Sequence, residues 1–262
     1  MRNTNRKALF FDIDGTLMGR RNFVPDSTKR ALTRARELGH LVFINTGRTY
    51  RLAMSAAERF ETDGLLCGCG TEIIIGEDSV YQYVIPEDTT RELMSDSRIM
   101  RFDLCLEGHE GDIFSEDLRL EDTIRLARYT ELEGALLKEG LKKGFRANKF
   151  CVQGDELTDM GAFVEKYGRD FEIIDRAGKF YECVPAGHSK ATAIDFVLER
   201  YDIPREDAYA FGDSANDIPM LKAVNAVIMG EHDRQIEKYA DFVTKRLEED
   251  GIEYAMKSLS II

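Results

Sequence analysis

The stretch KALFFDIDGTL (residues 7–17) joins an apolar run to a pair of acidic residues. The apolar run reads as a buried strand that ends at Asp12, and Asp14 and Gly15 begin a turn-rich stretch. A strand of this kind delivers its terminal carboxylates to one edge of a sheet. The stretch therefore predicts a buried strand with acidic side chains at its carboxyl end.

Similar apolar runs recur on both sides of this strand, separated by segments with helical spacing of apolar residues. Strand and helix in alternation are typical of a parallel sheet with crossover helices. The sequence thus predicts an α/β fold with a doubly wound, Rossmann-like parallel sheet. The predicted strands are residues 7–11, 41–44, 65–67, 208–211 and 226–229, and the predicted helices are residues 26–38, 50–60 and 189–200.

The middle of the chain has a different composition. Residues 84–185 are richer in charge, and Pro86 and Pro185 punctuate the two ends of this segment. Helix candidates at residues 116–130 and 157–167 are separated by short apolar runs. We therefore expect residues 84–185 to form an inserted α+β domain, and residues 1–83 and 186–262 to form the core.

Bulk composition excludes several classes of function. The formal net charge of the 262 residues is −12 and the pI is about 5.0, so an acidic surface would repel nucleic acid. The longest apolar runs fall short of the roughly 18–20 residues that span a bilayer, and the first one ends too early for a signal peptide. Five scattered cysteines do not suggest a disulfide framework. We expect a cytoplasmic protein without membrane or nucleic-acid partners.

Polar segments follow three of the predicted strands, where open parallel sheets bind their ligands. If the first strand lies beside residues 208–211, Asp12 and Asp213 leave neighbouring strands about 4.8 Å apart. Asp14 and Asp217 lie in the loops just beyond. So many carboxylates in one volume would retain protons unless a hard cation compensates them, and Mg²⁺ prefers such oxygen ligands together with a phosphate. The pattern predicts a magnesium site that handles phosphate.

Taken singly, each polar segment also has an ordinary structural interpretation. An Asp-x-Asp pair can cap a turn, Thr46-Gly47 can be a plain strand-to-helix connection, and Lys190 can be a solvated helix residue. Gly212–Asp217 lacks the glycine and glutamate of a calcium-binding loop. The four segments in this order, mostly at strand ends, favour one shared site.

The motifs resemble those of the haloacid dehalogenase (HAD) superfamily. Asp-Ile-Asp-Gly-Thr-Leu at residues 12–17 is similar to its first motif. Thr46-Gly47-Arg48, Ser189-Lys190 and the Gly-Asp-x-x-Asn-Asp of residues 212–217 are similar to the later motifs of its Cof-type subgroup. That subgroup has a large C2-type cap between its second and third motifs, which the insert resembles, and the cap is expected to select the substrate.

The resemblance implies an enzyme, a magnesium-dependent phosphatase that forms an aspartyl-phosphate. Asp12 would be the nucleophile, and Asp14 would protonate the leaving oxygen and then activate water. Lys190 would neutralise the phosphate and the nucleophile. The substrate implied is a small phosphate monoester, of the sugar phosphate class or a related metabolite.

The resemblance also implies a set of binding residues. The phosphate would be bound by Thr46, Gly47, Lys190 and Asn216. The Mg²⁺ ligands would be Asp12, the backbone carbonyl of Asp14, and Asp213. Asp217 would bind the ion directly or support its ligands.

Two positions depart from the subgroup's usual pattern. Cys69-Gly70-Thr71 stands where Asn-Gly-Ala is common, and Ala191 follows Lys190 where glycine is usual. Three other functions share such a core: a sugar phosphomutase, a non-catalytic phosphate-binding regulatory module and a dehalogenase. The presence of both Asp12 and Asp14 argues against a non-catalytic module, and the acidic cluster argues against a dehalogenase. The sequence predicts no oligomeric state.

Overall fold

The computed structural model describes residues 6–262 and contains two β-sheets flanked by helices. The strands are β1 Ala8–Phe11, β2 Leu41–Asn45, β3 Gly64–Cys67, β4 Glu72–Ile75, β5 Asp78–Gln82, β6 Asp103–Gly108, β7 Asp112–Phe114, β8 Ala147–Gln153, β9 Phe171–Asp175, β10 Phe180–Pro185, β11 Ala208–Gly212, β12 Asn225–Ile228 and β13 Phe242–Val243. The helices are α1 Asp26–Glu37, α2 Tyr50–Ala57, α3 Glu87–Ile99, α4 Glu121–Leu132, α5 Met160–Tyr167, α6 Lys190–Tyr201, α7 Ile218–Ala223 and α8 Gly251–Ser258.

The chain divides into two units. The core unit consists of residues up to Gly47, Ala56–Val80 and Ser189–Ile262. The insert unit consists of Arg48–Ser55 and Tyr81–His188. The insert unit therefore begins and ends three residues outside the expected range of 84–185, and it also takes in the start of α2. Side-chain contacts accompany the wider boundaries: the Tyr81 hydroxyl lies 2.6 Å from His188 Nε2, and the rings of His188 and Tyr83 lie 4.8 Å apart at a tilt of 55°.

The sheet of the core unit has the strand order β13-β12-β11-β1-β2-β3-β4-β5. All neighbouring pairs from β13 to β3 are parallel, which confirms the predicted doubly wound α/β sheet. The chain extends from β1 through β2 and β3 in one direction, and from β11 through β12 and β13 in the other. The sheet is mixed at one edge, because β4 pairs antiparallel with β3. The change of direction between β1 and β11 creates the crevice where such sheets bind ligands.

Both faces of this sheet are covered, which is why its strands are continuous apolar runs. Phe10 and Phe43 lie on one face with their ring centroids 5.4 Å apart, in one apolar cluster with residues of α6 and α7. Phe11 and Phe211 stack on the other face at 4.4 Å and are also fully buried. Burying each such ring contributes about 1.5–3 kcal/mol, so the ends of β1 and β11 are held firmly.

The insert unit contains an antiparallel sheet in the order β7-β6-β8-β10-β9, together with α3, α4 and α5. This is the expected α+β architecture. One face of the sheet is apolar and packs with Leu93 of α3 and Phe163 of α5. The other face carries buried polar side chains, among them Glu107, Lys149 and Glu182.

The two helices predicted inside the insert begin later than expected. The helix predicted over residues 116–130 is α4, Glu121–Leu132, because main-chain N–H groups at its start donate to the side chains of Asp103 and Gln153. The helix predicted over residues 157–167 is α5, Met160–Tyr167, which Asp159 caps by accepting the Ala162 N–H at 3.0 Å. Among residues 6–262, no helix has the length and apolar content that crossing a membrane requires.

Candidate active site

The site is centred on the carboxyl ends of β1 and β11. Phe11 pairs with Phe211 in the register of these strands, and the Asp12 N–H donates to the Phe211 carbonyl at 3.0 Å. Asp12 thus continues the pairing one residue beyond β1, while Asp213 directly follows β11. The two carboxylates leave adjacent strands at the point where the strand order reverses, as the sequence predicts.

Three carboxylates meet at this point. Asp12, Asp213 and Asp217 each offer an oxygen, and these oxygens lie within 4.8 Å of one another. Asp217 is fully buried, Asp12 is 3% exposed, and Asp213 is partly exposed. Oxygen ligands at this spacing suit a hard divalent cation such as Mg²⁺.

The turn after β1 orients Asp213. The Thr16 hydroxyl donates to Asp213 Oδ1 at 2.8 Å. Gly15 has a positive φ of 85°, and a Cβ there would overlap the Asp213 carboxylate, so only glycine fits between the two. The sequence analysis assigned no role to Thr16, although its place in the Asp-x-Asp-Gly-Thr stretch is a signal that it belongs to the site.

Asp217 holds the loop that follows β11. Its Oδ2 accepts the N–H groups of Asp213 at 2.9 Å and Ser214 at 3.1 Å. Its Oδ1 lies 2.6 Å from Lys190 Nζ. Both oxygens of this buried carboxylate are therefore engaged by groups of the protein.

Lys190 is the first residue of α6 and is almost fully buried. Its Nζ also lies 2.6 Å from Asp12 Oδ1. Burial alone lowers the pKa of Lys190, but Asp12 and Asp217 more than offset this, and its pKa is raised. The lysine is therefore a permanent cation between the two carboxylates.

When its three carboxylates are ionised, the cluster has more negative than positive charge. Burial raises the pKa of Asp12 to about 7, opposed by Lys190 and assisted by Asp217. Burial also raises the pKa of Asp213 to about 8, with Asp12 and Asp217 adding to the rise. One lysine does not compensate three carboxylates, and a divalent cation would remove the deficit.

Asp14 is exposed, unlike Asp12. It lines, with Asp213, a cleft of about 750 Å³ in the core unit, whose wall also includes Arg20 and Arg246. The carboxylate of Asp14 is not among the three that meet, and the predicted role of its backbone carbonyl in metal binding stays a prediction.

The remaining predicted residues lie at the same edge of the sheet. Thr46 directly follows β2 and is buried; its N–H donates to the Leu66 carbonyl at 2.8 Å. Gly47 follows Thr46 and is half-buried. Asn216 is half-buried in the loop after β11, and its Oδ1 accepts the Ser214 hydroxyl at 2.5 Å. Their predicted contacts with phosphate stay predictions.

The fold and the three-carboxylate cluster are typical of one class of protein, and comparison with known families points to the same class. The chain belongs to the haloacid dehalogenase-like hydrolases: the model of that family matches residues 9–256. The predicted family is therefore confirmed.

Particular relatives cover nearly the whole chain. The putative phosphatase YkrA of Bacillus subtilis is 30% identical over 98% of this chain and 98% of its own length. The 5-amino-6-(5-phospho-D-ribitylamino)uracil phosphatase YcsE of B. subtilis is 27% identical, over 96% and 94%. The solved structure of the HAD phosphatase BT1666 from Bacteroides thetaiotaomicron is 25% identical, has a TM-score of 0.83 and covers 100% of this chain and 98% of its own.

A second solved structure is the HAD subclass IIB sugar phosphatase BT4131, which is 25% identical, has a TM-score of 0.80 and covers 98% of this chain and 100% of its own. At the level of family and relatives, the predicted class of enzyme, a HAD-type phosphoric monoester hydrolase, is confirmed.

Proposed function

We propose that this protein is a magnesium-dependent phosphatase that hydrolyses a small phosphate monoester through an aspartyl-phosphate on Asp12. One observation carries the proposal: Lys190 Nζ lies 2.6 Å from Asp12 Oδ1 inside a cluster of three carboxylates. A nucleophilic carboxylate beside a fixed cation and a deficit of positive charge fits a dianionic phosphoryl group with its metal.

The first step forms the acyl phosphate. A carboxylate oxygen of Asp12 attacks phosphorus, and the bond from phosphorus to the leaving oxygen breaks. Asp14, which lies at the exposed cleft, gives its proton to that oxygen. Lys190 offsets the charge that the transferring group brings to Asp12.

The second step releases phosphate. Asp14, now deprotonated, takes a proton from water, and the water oxygen attacks phosphorus. The bond between phosphorus and Asp12 breaks, which restores the carboxylate and leaves inorganic phosphate. The exposure of Asp14 gives it access to both the leaving group and water.

The donor set fits magnesium because it consists of hard carboxylate oxygens. Asp12 and Asp213, with the backbone carbonyl of Asp14, would hold the ion. Asp217 would support the ion indirectly, by holding Lys190 and the loop of Asp213, since both its oxygens already bind Lys190 and main-chain N–H groups. When bound, Mg²⁺ would stabilise negative charge on the phosphoryl oxygens.

The remaining parts of the proposal concern the phosphate and the substrate. Thr46 and Gly47 would hold phosphate oxygens, assisted by Asn216. Phosphatases of small metabolites among the relatives, including a sugar phosphatase, support a sugar phosphate or a related metabolite as substrate. Selection of that substrate by the insert unit, and a cytoplasmic location, stay predictions.

Asp12→Asn tests the proposal. We expect turnover to be abolished while the fold and the melting temperature are kept, because only the nucleophile is lost. Phosphate release from a panel of phosphorylated metabolites is measured with Mg²⁺. The control is Asp241→Asn, which alters a core-unit carboxylate that accepts the Ala226 N–H at 2.8 Å. Normal phosphate release by Asp12→Asn would reject the mechanism, and an isomerised ester without free phosphate would indicate a mutase.

A further inference from the structure

A buried asparagine ends β2, next to Thr46. Asn45 is fully buried, and its Nδ2 donates to the main-chain carbonyl of Lys190 at 2.9 Å. Its Oδ1 has no hydrogen-bond partner among residues 6–262. A buried amide that is only half satisfied costs free energy, so an apolar residue would stabilise this position better unless the bond to Lys190 serves the site.

The bond ties α6 to the central sheet at the residue that carries the ammonium group. The start of α6 is otherwise capped locally, by the reciprocal bonds between Ser189 and Thr192. Those bonds fix the shape of the first turn but not its place relative to β2. Asn45 supplies a polar tie from the sheet to this turn.

A second contact holds the same turn from the end of β3. Gly70 lies so close to α6 that a Cβ on it would be 2.5 Å from the Ser189 carbonyl oxygen and 3.3 Å from Ala193 Cβ. Gly70 also has a positive φ of 86°. Both the close approach to α6 and this backbone conformation therefore require glycine. In addition, the Cys69 N–H donates to the Thr46 carbonyl at 3.1 Å.

We propose that Asn45 is a positioning residue that, with Gly70, holds the first turn of α6 so that the Lys190 ammonium stays against Asp12. The catalytic consequence rests on the proposed function. Lysine has a long, flexible side chain, so the place of its Nζ depends on a fixed main chain as well as on its carboxylate partners. Among residues 6–262, Asn45 forms no hydrogen bond with the three carboxylates. Its Nδ2 also lies 3.7 Å from Met220 Sδ of α7, and the proposed positioning rests on its shorter bond to Lys190.

The test compares two buried asparagines that each donate a hydrogen bond to a main-chain carbonyl. Asn148 of the insert unit is also buried, donates through Nδ2 to the Tyr83 carbonyl at 2.7 Å and has an Oδ1 without a partner among residues 6–262. Asn45→Leu and Asn148→Leu therefore each remove a buried amide that donates to a main-chain carbonyl. Both are assayed for kcat, KM, melting temperature and the rise in melting temperature that Mg²⁺ produces.

For Asn45→Leu we expect kcat to fall about 10- to 100-fold, as small misplacements of catalytic groups do, with KM within about threefold of the wild-type value. The Mg²⁺-induced rise in melting temperature should persist, because the carboxylates are intact. Asn148→Leu should lose similar stability but keep kcat. A kcat of Asn45→Leu within twofold of that of Asn148→Leu overturns the proposal. If Asn45→Leu does not fold, Asn45→Ser is measured by the same criteria.

Hydrogen exchange separates this inference from the proposed function. The amides of residues 190–194 should exchange faster in Asn45→Leu than in Asn148→Leu. If the wild type releases phosphate from no ester, the proposed function fails, and faster exchange still supports the tie between Asn45 and α6. Equal exchange in the two variants overturns the tie whether or not the protein is a phosphatase.

Discussion

Each unit contains a lysine buried between two carboxylates. In the core unit, Lys190 Nζ lies 2.6 Å from both Asp12 and Asp217. In the insert unit, Lys149 Nζ lies 2.9 Å from Glu107 and 2.8 Å from Glu182. The two arrangements look alike, but their charge balance differs, and that difference distinguishes a candidate catalytic cluster from a structural one.

The insert-unit cluster is compensated. Arg176 forms a second ion pair with Glu182. Burial alone raises the pKa of Glu182, but Lys149 and Arg176 outweigh it and lower that pKa to about 2. Burial, followed by Glu107, raises the pKa of the neighbouring Asp112 well above its usual value. Two cations therefore face two carboxylates.

The core-unit cluster is not compensated. Asp213 adds a third carboxylate, and among residues 6–262 no second cation forms an ion pair with these three carboxylates. Burial is the main cause of the raised pKa values of Asp12 and Asp213, and the neighbouring carboxylates add to both rises. A buried cluster that lacks a cation is a site for one, whereas a balanced cluster holds strands together.

Removing the core-unit lysine should have the largest effect on function. We expect Lys190→Met to lower kcat about 10³-fold, because the transferring group loses a fixed cation in a buried site. Phosphate release measures the effect, and circular dichroism checks the fold. A folded Lys190→Met variant with wild-type kcat would show that the two lysines do not differ in the way we infer.

Removing the insert-unit lysine should lower stability without removing a cation from the candidate site. Lys149→Met leaves Glu107 without its ammonium partner, and breaking a buried pair in this way costs about 3–5 kcal/mol. Denaturant unfolding measures the loss. The matched control is Lys138→Met, which breaks the exposed pair with Glu131 and should change the free energy of unfolding little, because solvent screens this pair. Equal losses in the two variants would contradict the assignment of a structural role.

Acid should weaken the insert-unit cluster in a defined range. The pKa of Glu182 is lowered from 4.5 to about 2, so its contribution to stability is complete above pH 4.5 and is lost as the pH falls towards 2. The free energy of unfolding is measured across this range for the wild type and for Glu182→Gln. The variant should be less stable at pH 5 and should show a shallower decline below pH 4.5. Parallel curves for the two proteins would refute the lowered pKa.

The smallest effect expected is the stabilisation that magnesium gives to the core unit. Saturation to 100 times the dissociation constant adds about 2.7 kcal/mol to the free energy of unfolding. Asp213→Asn should reduce this gain, whereas Glu107→Gln should leave it unchanged because that residue belongs to the compensated cluster. Thermal shifts with Mg²⁺ and with excess chelator measure both, and full phosphatase activity in excess chelator would argue against the metal.

The core unit could be predicted well because its strands are continuous apolar runs. Burial on both faces of a parallel sheet demands such runs, so β1, β2 and β11 were recognisable from composition alone. The insert unit was predicted in outline only, and α3 and most of its strands were not identified. In β8, Phe150 and Val152 lie on the apolar face and Lys149 and Cys151 on the other, so only a short apolar run at residues 150–152 marks this strand in the sequence.

Sequence alone determined which residue types are available to the candidate site, because Asp12, Lys190 and Asp213 stand next to recognisable apolar strands or at a helix start. Only the tertiary structure decided which of them meet: Lys190 and Asp12 are 178 residues apart in the chain and 2.6 Å apart in space. It also decided that Asn45 bonds to the main chain of Lys190, while Lys149 lies in the sheet of the insert unit. The physical reason is that burial and ion pairing depend on neighbours brought by strand order, which no local pattern of residues encodes.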